Sequence, residues 1–294
     1  MGEWSIRVQN ALAALPLSET THDVLDIAGL SQPEWSLLVK CCLCEPPFAL
    51  DDLCVWLPYT ARTAVEARLK ELQATLYVQP VASGEFIVTD KGASLIKGWS
   101  SRERLLLASV RPLHGGSLKY LAEALEGVVE AALAAPSPPE KPRLFGSRRL
   151  APDARATAMV RIDQALTDLY YFHEDCRVAA WSAAELDGPA FEVLTLLRRG
   201  EPRDQDSLSS SLAASRGHDE AYIVRLTHRL AERGLLVRTG SEVELTVAGR
   251  DLCESVETVT EQYYMPSWTL LPPLHLQRLR ELLQRFTQGL RKAA

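Results

Sequence analysis

Residues 216–250, RGHDEAYIVRLTHRLAERGLLVRTGSEVELTVAGR, carry the reading on which the fold turns. Ile223, Leu226 and Leu230 recur three and four apart, which places them on one face of a helix. Arg233-Gly234 stops that helix, because glycine adopts the left-handed backbone that other residues avoid. Leu235-Leu236-Val237 then reads as a strand, Thr239-Gly240-Ser241 as a tight turn, and Val243 with Leu245 as an alternating second strand. Another helix starts directly after them. The stretch predicts helix, hairpin and helix in immediate succession.

The same order stands earlier in the chain. A short helical pattern within residues 5–30 ends in Ala28-Gly29-Leu30. Ser31-Gln32-Pro33 reads as a helix start, with serine as cap and proline in the first turn. Trp35, Leu38, Val39 and Cys42 are its expected buried face, and Glu45-Pro46-Pro47 ends it. Asp51-Asp52-Leu53 opens a short helix that Pro58 closes, and Thr60 caps a third helix carrying Val65, Leu69 and Leu72. Leu76-Tyr77-Val78 and residues 85–88 read as strands around Ala82-Ser83-Gly84. Asp90-Lys91-Gly92 begins a long helix, and Pro112-Leu113-His114 leads into another that ends near Ala135.

Matching landmarks link the two halves. Asp187-Gly188-Pro189-Ala190-Phe191 aligns with Ser31-Gln32-Pro33-Glu34-Trp35, and Glu201-Pro202 with Glu45-Pro46, both at an offset of 156 (35 to 191; 45 to 201). Thr246 and Gly249 align with Thr89 and Gly92 at 157 (89 to 246). Pro273-Leu274-His275 aligns with Pro112-Leu113-His114 at 161 (114 to 275), and Leu279, Leu282 and Phe286 then fall on Leu118, Leu121 and Leu125. Landmarks kept in one order with a slowly drifting offset indicate an internal repeat. The expected fold is mainly α with small β-wings: two tandem winged-helix units, residues 1–135 and 156–294, forming a single-chain pseudo-dimer. Residues 136–155 are the expected connector, extended and non-helical, with four prolines between 135 and 142 and the basic residues Lys141, Arg143, Arg148, Arg149 and Arg155. A long helix pattern over 156–181, with Ile162, Leu166, Leu169 and Trp181, opens the second unit.

A chain of 294 residues holds about two ordinary domains. At 47% hydrophobic and 24% charged it has the composition of a globular protein. The net charge of −6 gives no general pull toward nucleic acid, although binding depends on where cations cluster rather than on the sum. The start of the chain has no basic-then-apolar leader and no apolar run nears the ~18 residues of a membrane span, so a cytoplasmic, non-membrane protein is expected. Six cysteines then read as reduced thiols, and Cys41-Cys42-Leu43-Cys44, without a second close pair, as core rather than as a metal site. There is no glycine-rich phosphate loop, His-Glu-x-x-His or nucleophile elbow, so no enzyme, catalytic residue, metal or cofactor is expected.

Gly29-Leu30-Ser31-Gln32-Pro33-Glu34-Trp35, Ala184 to Phe191 (AELDGPAF), Arg229 to Leu236 (RLAERGLL) and Leu245 to Arg250 (LTVAGR) stand in one order with the helices around them. That order resembles MarR-type regulators (multiple antibiotic resistance regulators), more closely in the second unit. The resemblance implies a transcriptional regulator that binds double-stranded DNA through winged helices, pairs through its terminal helices, and answers to a small-molecule effector. With two units in one chain it implies a covalent pseudo-dimer, as a monomer or a further homodimer. In two-fold helix-turn-helix proteins the reading helices enter major grooves ~34 Å apart. The sequence departs from the family at the wings: the first has no basic residue and the second only Arg238, with Glu242 nearby.

The DNA-contacting candidates are Thr60, Arg62, Thr63 and Arg68 in the first unit and Arg216, His218, Tyr222, Arg225, Arg229 and Arg238 in the second. Arginine forks onto guanine edges and phosphates, and hydroxyls bond phosphate oxygens. Glu66, Asp219 and Glu220 oppose this. The run Tyr170-Tyr171-Phe172-His173-Glu174-Asp175-Cys176-Arg177, with Trp181, supplies the effector-site candidates Tyr170, His173, Arg177 and Trp181. Tyr170, His173 and Arg177 share a helical face, and Tyr263, Tyr264 and Trp268 are expected to face the same space. The alternative reading is a scaffold that has lost DNA binding and holds a ligand or protein partner; an enzyme using His173, Asp175 and Cys176 is a third.

Overall fold

The computed structural model describes residues 2–15, 24–82, 84–153, 155–200 and 204–293. The turn residue Ser83 and the Glu201-Pro202 landmark lie outside them. Helices dominate, with two small antiparallel sheets.

After α1 (Glu3–Ala13), the first cluster comprises α2 (Gln32–Leu43), β1 (Phe48–Ala49), α3 (Leu50–Trp56), α4 (Arg62–Ala74), β2 (Val78–Ala82) and β3 (Glu85–Val88). Ser31 starts α2 as expected: its hydroxyl accepts from the Glu34 N–H, and the Glu34 carboxylate accepts from the Ser31 N–H at 2.7 Å. The buried face of α2 is broader than its periodicity suggested. Leu37 and Cys41 are buried with Trp35 and Leu38, whereas Val39 and Cys42 are only half-buried. The reason is that α2 packs on α4 from one side and on the connector from another. β1 was not foreseen; it adds a third strand in the order β1-β3-β2, pairing Phe48 with Phe86. Thr60 does not cap α4. The cap position is Ala61, without a side-chain cap, and its N–H donates to the Arg216 carbonyl at 2.9 Å.

The second cluster comprises α9 (Gly188–Arg198), α10 (Gln205–Arg216), α11 (Glu220–Glu232), β4 (Leu236–Thr239) and β5 (Glu242–Leu245). Asp187, Asp204 and Asp219 cap its three helices, accepting from the N–H groups of Ala190, Ser207 and Tyr222. Ile223, Leu226 and Leu230 are buried against Leu194, Leu208 and Leu212, and Gly234 ends α11 at φ +72°.

The two hairpin-to-helix corners are built alike. The hairpins run into α5 (Asp90–Ser109) and α12 (Val247–Thr269). Thr89 and Thr246 accept from Gly92 and Gly249 N–H and donate back to the Leu76 and Gly234 carbonyls at 2.7 Å. A Cβ on Gly92 would lie 2.6 Å from the Tyr77 carbonyl oxygen, and one on Gly249 would overlap the Leu235 carbonyl. Gly249→Ala is expected to cost about 1–3 kcal/mol in urea unfolding, the range for overpacking. Gly98→Ala, where a Cβ on α5 meets nothing within 4 Å, is expected to be neutral or slightly stabilising.

Between the clusters lies a helical core of α1, α6 (Gly115–Ala134), α8 (Ala158–Ala183), α12 and α13 (Pro273–Ala293). Helix α8 is its axis, packing on α1, α6 and α12. Leu118, Leu121 and Leu125 of α6 and Leu279, Leu282 and Phe286 of α13 are all buried there. Trp4 stacks on Trp268 at 4.3 Å, and the Gly2 N–H donates to Glu261 at 2.7 Å. The two Pro-Leu-His segments differ: His114 caps α6, whereas His275 lies exposed in the first turn of α13.

The connector is neither wholly extended nor solvated. It contains α7 (Pro142–Ser147), which packs on α8. Lys141 is buried and donates to the carbonyls of Ala132 and Leu133, where α6 ends. Arg143, 4% exposed, pairs at 2.9 Å with a fully buried Asp175 carboxylate that also accepts from Leu144 N–H. Arg148 pairs with Asp168 at 2.9 Å. Carboxylates on α8 thus pair with two of the five cations of this stretch, Arg143 and Arg148.

Candidate functional site

Helix α11 presents Arg225, His228 and Arg229 to solvent, with Tyr222 half-buried beside them. Arg229 lies 3.9 Å from Asp187. On β4, Arg238 is half-buried and its Nε has no hydrogen-bond partner. On α4, Arg62 and Thr63 are exposed, Arg68 is half-buried, and Arg62 pairs with Asp51.

The remaining DNA candidates lie where the clusters touch. Arg216 and His218, expected to contact DNA, are instead covered by the first cluster. The Arg216 guanidinium pairs with Glu192 at 2.6 Å and sits over the Tyr59 ring at 5.8 Å. His218 is 7% exposed, with Nε2 2.8 Å from the Tyr59 carbonyl oxygen and its ring stacked on Tyr222. A Cβ on Gly217 would lie 2.5 Å from that of Ala64, and one on Gly188 would overlap the Pro58 carbonyl. Together with the Ala61–Arg216 backbone bond, these contacts join the entry to α4 to the α10–α11 turn.

Beside that junction opens a cleft of about 720 Å³, walled by α1, α2, α3, α8 and the ends of α9 and α10. Tyr170, Arg177 and Thr60 line it, as do Lys40, Trp56, Tyr59, Tyr171 and Arg199. Among the described residues its lining holds five cations, Lys40, Arg143, Arg177, Arg199 and Arg216, and one carboxylate, Glu174. Burial and the neighbouring Glu174 push the Tyr170 phenol up to about 12, so it stays a neutral donor. Burial raises Glu174 too, but the His173 ring and Arg177 outweigh it and leave that carboxyl below its usual range.

The geometry does not gather all four effector-site candidates. His173, 3% exposed, points away from this cleft, lying 3.8 Å from both Glu174 and Glu261 and edge-on to Tyr264. It lines a second cavity of about 310 Å³, which it shares with Arg177. Trp181 packs in the second cluster's core. Tyr264 and Trp268 belong to the central core. Cys176 is buried there too, its thiol pushed up by burial and by Asp175, and Asp175 is committed to Arg143. His173, Asp175 and Cys176 therefore do not converge.

A helix-turn-helix family model matches residues 88–294, which take in the whole second cluster and the helices of the central core from α5 onward. The chain belongs to that helix-turn-helix family. No curated protein and no solved structure matches it. The α10–α11 pair and its tight turn lie within the matched residues. The first cluster, before residue 88, lies outside the match. No helix among the described residues is long and apolar enough to cross a membrane.

Lys40, Trp56, Tyr59, Tyr171 and Arg199 were not foreseen as cleft residues. They come from four separate segments, and no local spacing relates them. A smaller cavity of about 220 Å³ beside α5 and α8 holds Asp163, whose carboxyl burial pushes up to about 6. The unfolded value is near 3.9, so between about pH 4 and 6 the folded form holds a proton that the unfolded form has lost. Stability from this group is greatest at low pH and declines as pH rises through that window. Asp163→Asn is expected to flatten the decline and to raise stability at pH 7 by about 1–3 kcal/mol, read from urea unfolding at pH 4.5 and 7.

Proposed function

We propose that the chain is a non-enzymatic, DNA-binding transcriptional regulator of MarR-like organisation, a tandem pair of winged-helix units (1–135 and 156–294, joined by 136–155), and that an effector in the cleft sets its DNA affinity. The observation that carries this reading is α11. It follows a tight turn at Gly217, is capped by Asp219, stands against the β4–β5 hairpin, and presents Arg225, His228 and Arg229 outward within a helix-turn-helix family match. The matching threonine–glycine corners support the tandem reading. Double-stranded DNA is the partner; Arg225 and Arg229 lead, Tyr222 and Arg238 flank them, and Arg62, Thr63 and Arg68 serve the first unit.

The cleft and the inter-cluster junction share Tyr59, Thr60 and Arg216. A ligand that contacts these residues differently in the joined and separated arrangements shifts the balance between them. To test DNA binding, double-stranded sequences are selected from a random pool and their affinity is measured across salt concentrations. The reading expects an enriched motif and a log affinity that falls linearly with log salt. Absence of enrichment, or a flat salt dependence, rejects it.

A second reading, a scaffold without DNA binding, is favoured by one observation. The start of α4 is bonded to the α10–α11 turn, and Arg216 and His218 are occupied within the protein. It expects no enriched motif.

A further inference from the structure

The charges around the cleft do not cancel. Arg143 is neutralised by Asp175, Arg216 by Glu192, and Arg177 lies 3.4 Å from Glu174. No such pairing is found for Lys40 or Arg199 among the described residues. Arg199 is exposed at the end of α9. Lys40 is half-buried on α2, its Nζ donating to the Tyr171 hydroxyl at 2.8 Å and lying 5.3 and 6.0 Å from the Tyr171 and Trp56 ring centroids. An ammonium has three N–H donors, so Lys40 keeps two beyond that bond. The Trp56 and Tyr171 rings meet edge-to-face at 5.1 Å, and Tyr170 stands edge-on to Tyr171 at 5.4 Å. The cleft therefore offers two positive charges without a carboxylate partner among the described residues, and ring faces and edges, in a volume typical of small-molecule sites.

We propose that this cleft binds an organic phosphate monoester carrying an aromatic ring system, with Lys40 and Arg199 taking the phosphate and Trp56, Tyr170 and Tyr171 the ring. A phosphate monoester carries close to two negative charges at neutral pH, the number left unbalanced; a carboxylate carries one. The guanidinium fork of Arg199 suits phosphate oxygens, and Lys40 acts as a point charge. The proposal rests on reading the cleft as an effector site and names the effector's chemistry.

The test uses three probes with one ring: 1-naphthyl phosphate, 1-naphthoate and 1-naphthol, titrated into the full chain by calorimetry without DNA. The expected result is one saturable site, with the phosphate at least tenfold tighter than the carboxylate and the carboxylate tighter than the neutral alcohol. Arg199→Gln, at an exposed position, is expected to weaken the phosphate at least fivefold, and Arg199→Gln with Lys40→Met at least thirtyfold. Naphthol affinity should stay within about twofold for Arg199→Gln, which touches none of the rings, and near-ultraviolet circular dichroism should show the same fold for both variants. If naphthoate or naphthol binds as tightly as the phosphate, or Arg199→Gln leaves phosphate affinity unaltered, the phosphate assignment is overturned while a ligand cleft stands. If none of the three saturates at millimolar concentration, the assignment and the effector reading both fall.

Discussion

Asp175→Ala is expected to destabilise the chain by about 3–5 kcal/mol, the cost of removing one partner from a buried ion pair. For a protein of this size that lowers the melting temperature by on the order of 10 °C. The substitution leaves the Arg143 guanidinium, 4% exposed, without its carboxylate, and strips the Leu144 N–H of its acceptor. Burial meanwhile pushes the Asp175 carboxyl up to about 6, against the pull of the Leu144 N–H and Arg143. Removing both charges avoids the stranded guanidinium, although the Leu144 N–H still loses its acceptor. Arg143→Met with Asp175→Leu is expected to cost less than Asp175→Ala alone, about 1–3 kcal/mol, the cost of the backbone N–H left unpaired. A single Asp175→Ala variant that melts normally would show that α7 is not held in this way.

The second large effect concerns DNA. Arg225→Ala with Arg229→Ala is expected to weaken binding to a selected sequence by about 10²-fold or more, since each arginine on a base edge or phosphate contributes about 1–3 kcal/mol. Both side chains are exposed, so folding should be unaffected. The salt dependence separates their roles. If both contact phosphates, the slope of log affinity against log salt shrinks by about two. If they read bases, the slope changes less and discrimination between sequences collapses. Arg216→Ala is a useful contrast: its guanidinium is paired with Glu192 inside the protein, so any effect on DNA should come through the junction between the clusters.

Much of the fold was legible because its helix starts are written locally. Ser31, Thr89, Asp187 and Thr246 each cap the helix that the sequence placed there, and the spacing of Ile223, Leu226 and Leu230 matches the buried face. Helix α7 was missed because its six residues follow a run of prolines and its burial depends on Asp175, some thirty positions later. The absence of a cap at Thr60 had no sequence signal either: the Ala61 N–H bonds a carbonyl from the other cluster. The candidate site divides along the same line. Tyr170 and Arg177 share a helical face and were legible as neighbours. Lys40, Trp56 and Arg199 join them only through the packing of separate helices. Periodicity shows what one helix faces, and not which other helix it meets there.

The contact between Gly2 and Glu261, 259 residues apart along the chain, together with the Trp4–Trp268 stack, bears on how this molecule is born. Helix α1 is made before the helices it packs on: its seat on α8 is available once Ala183 has followed, but its seat on α13 and the partner of Trp4 come only with residues 268–293. At ~5–20 residues per second, Trp4 waits for tens of seconds before Trp268 is there to stack on it. The second cluster, whose core is drawn from residues 180–256, is complete well before that. Helix α1 thus completes its docking only after the second cluster has formed, and chaperones that hold exposed apolar segments have a long opportunity at Trp4.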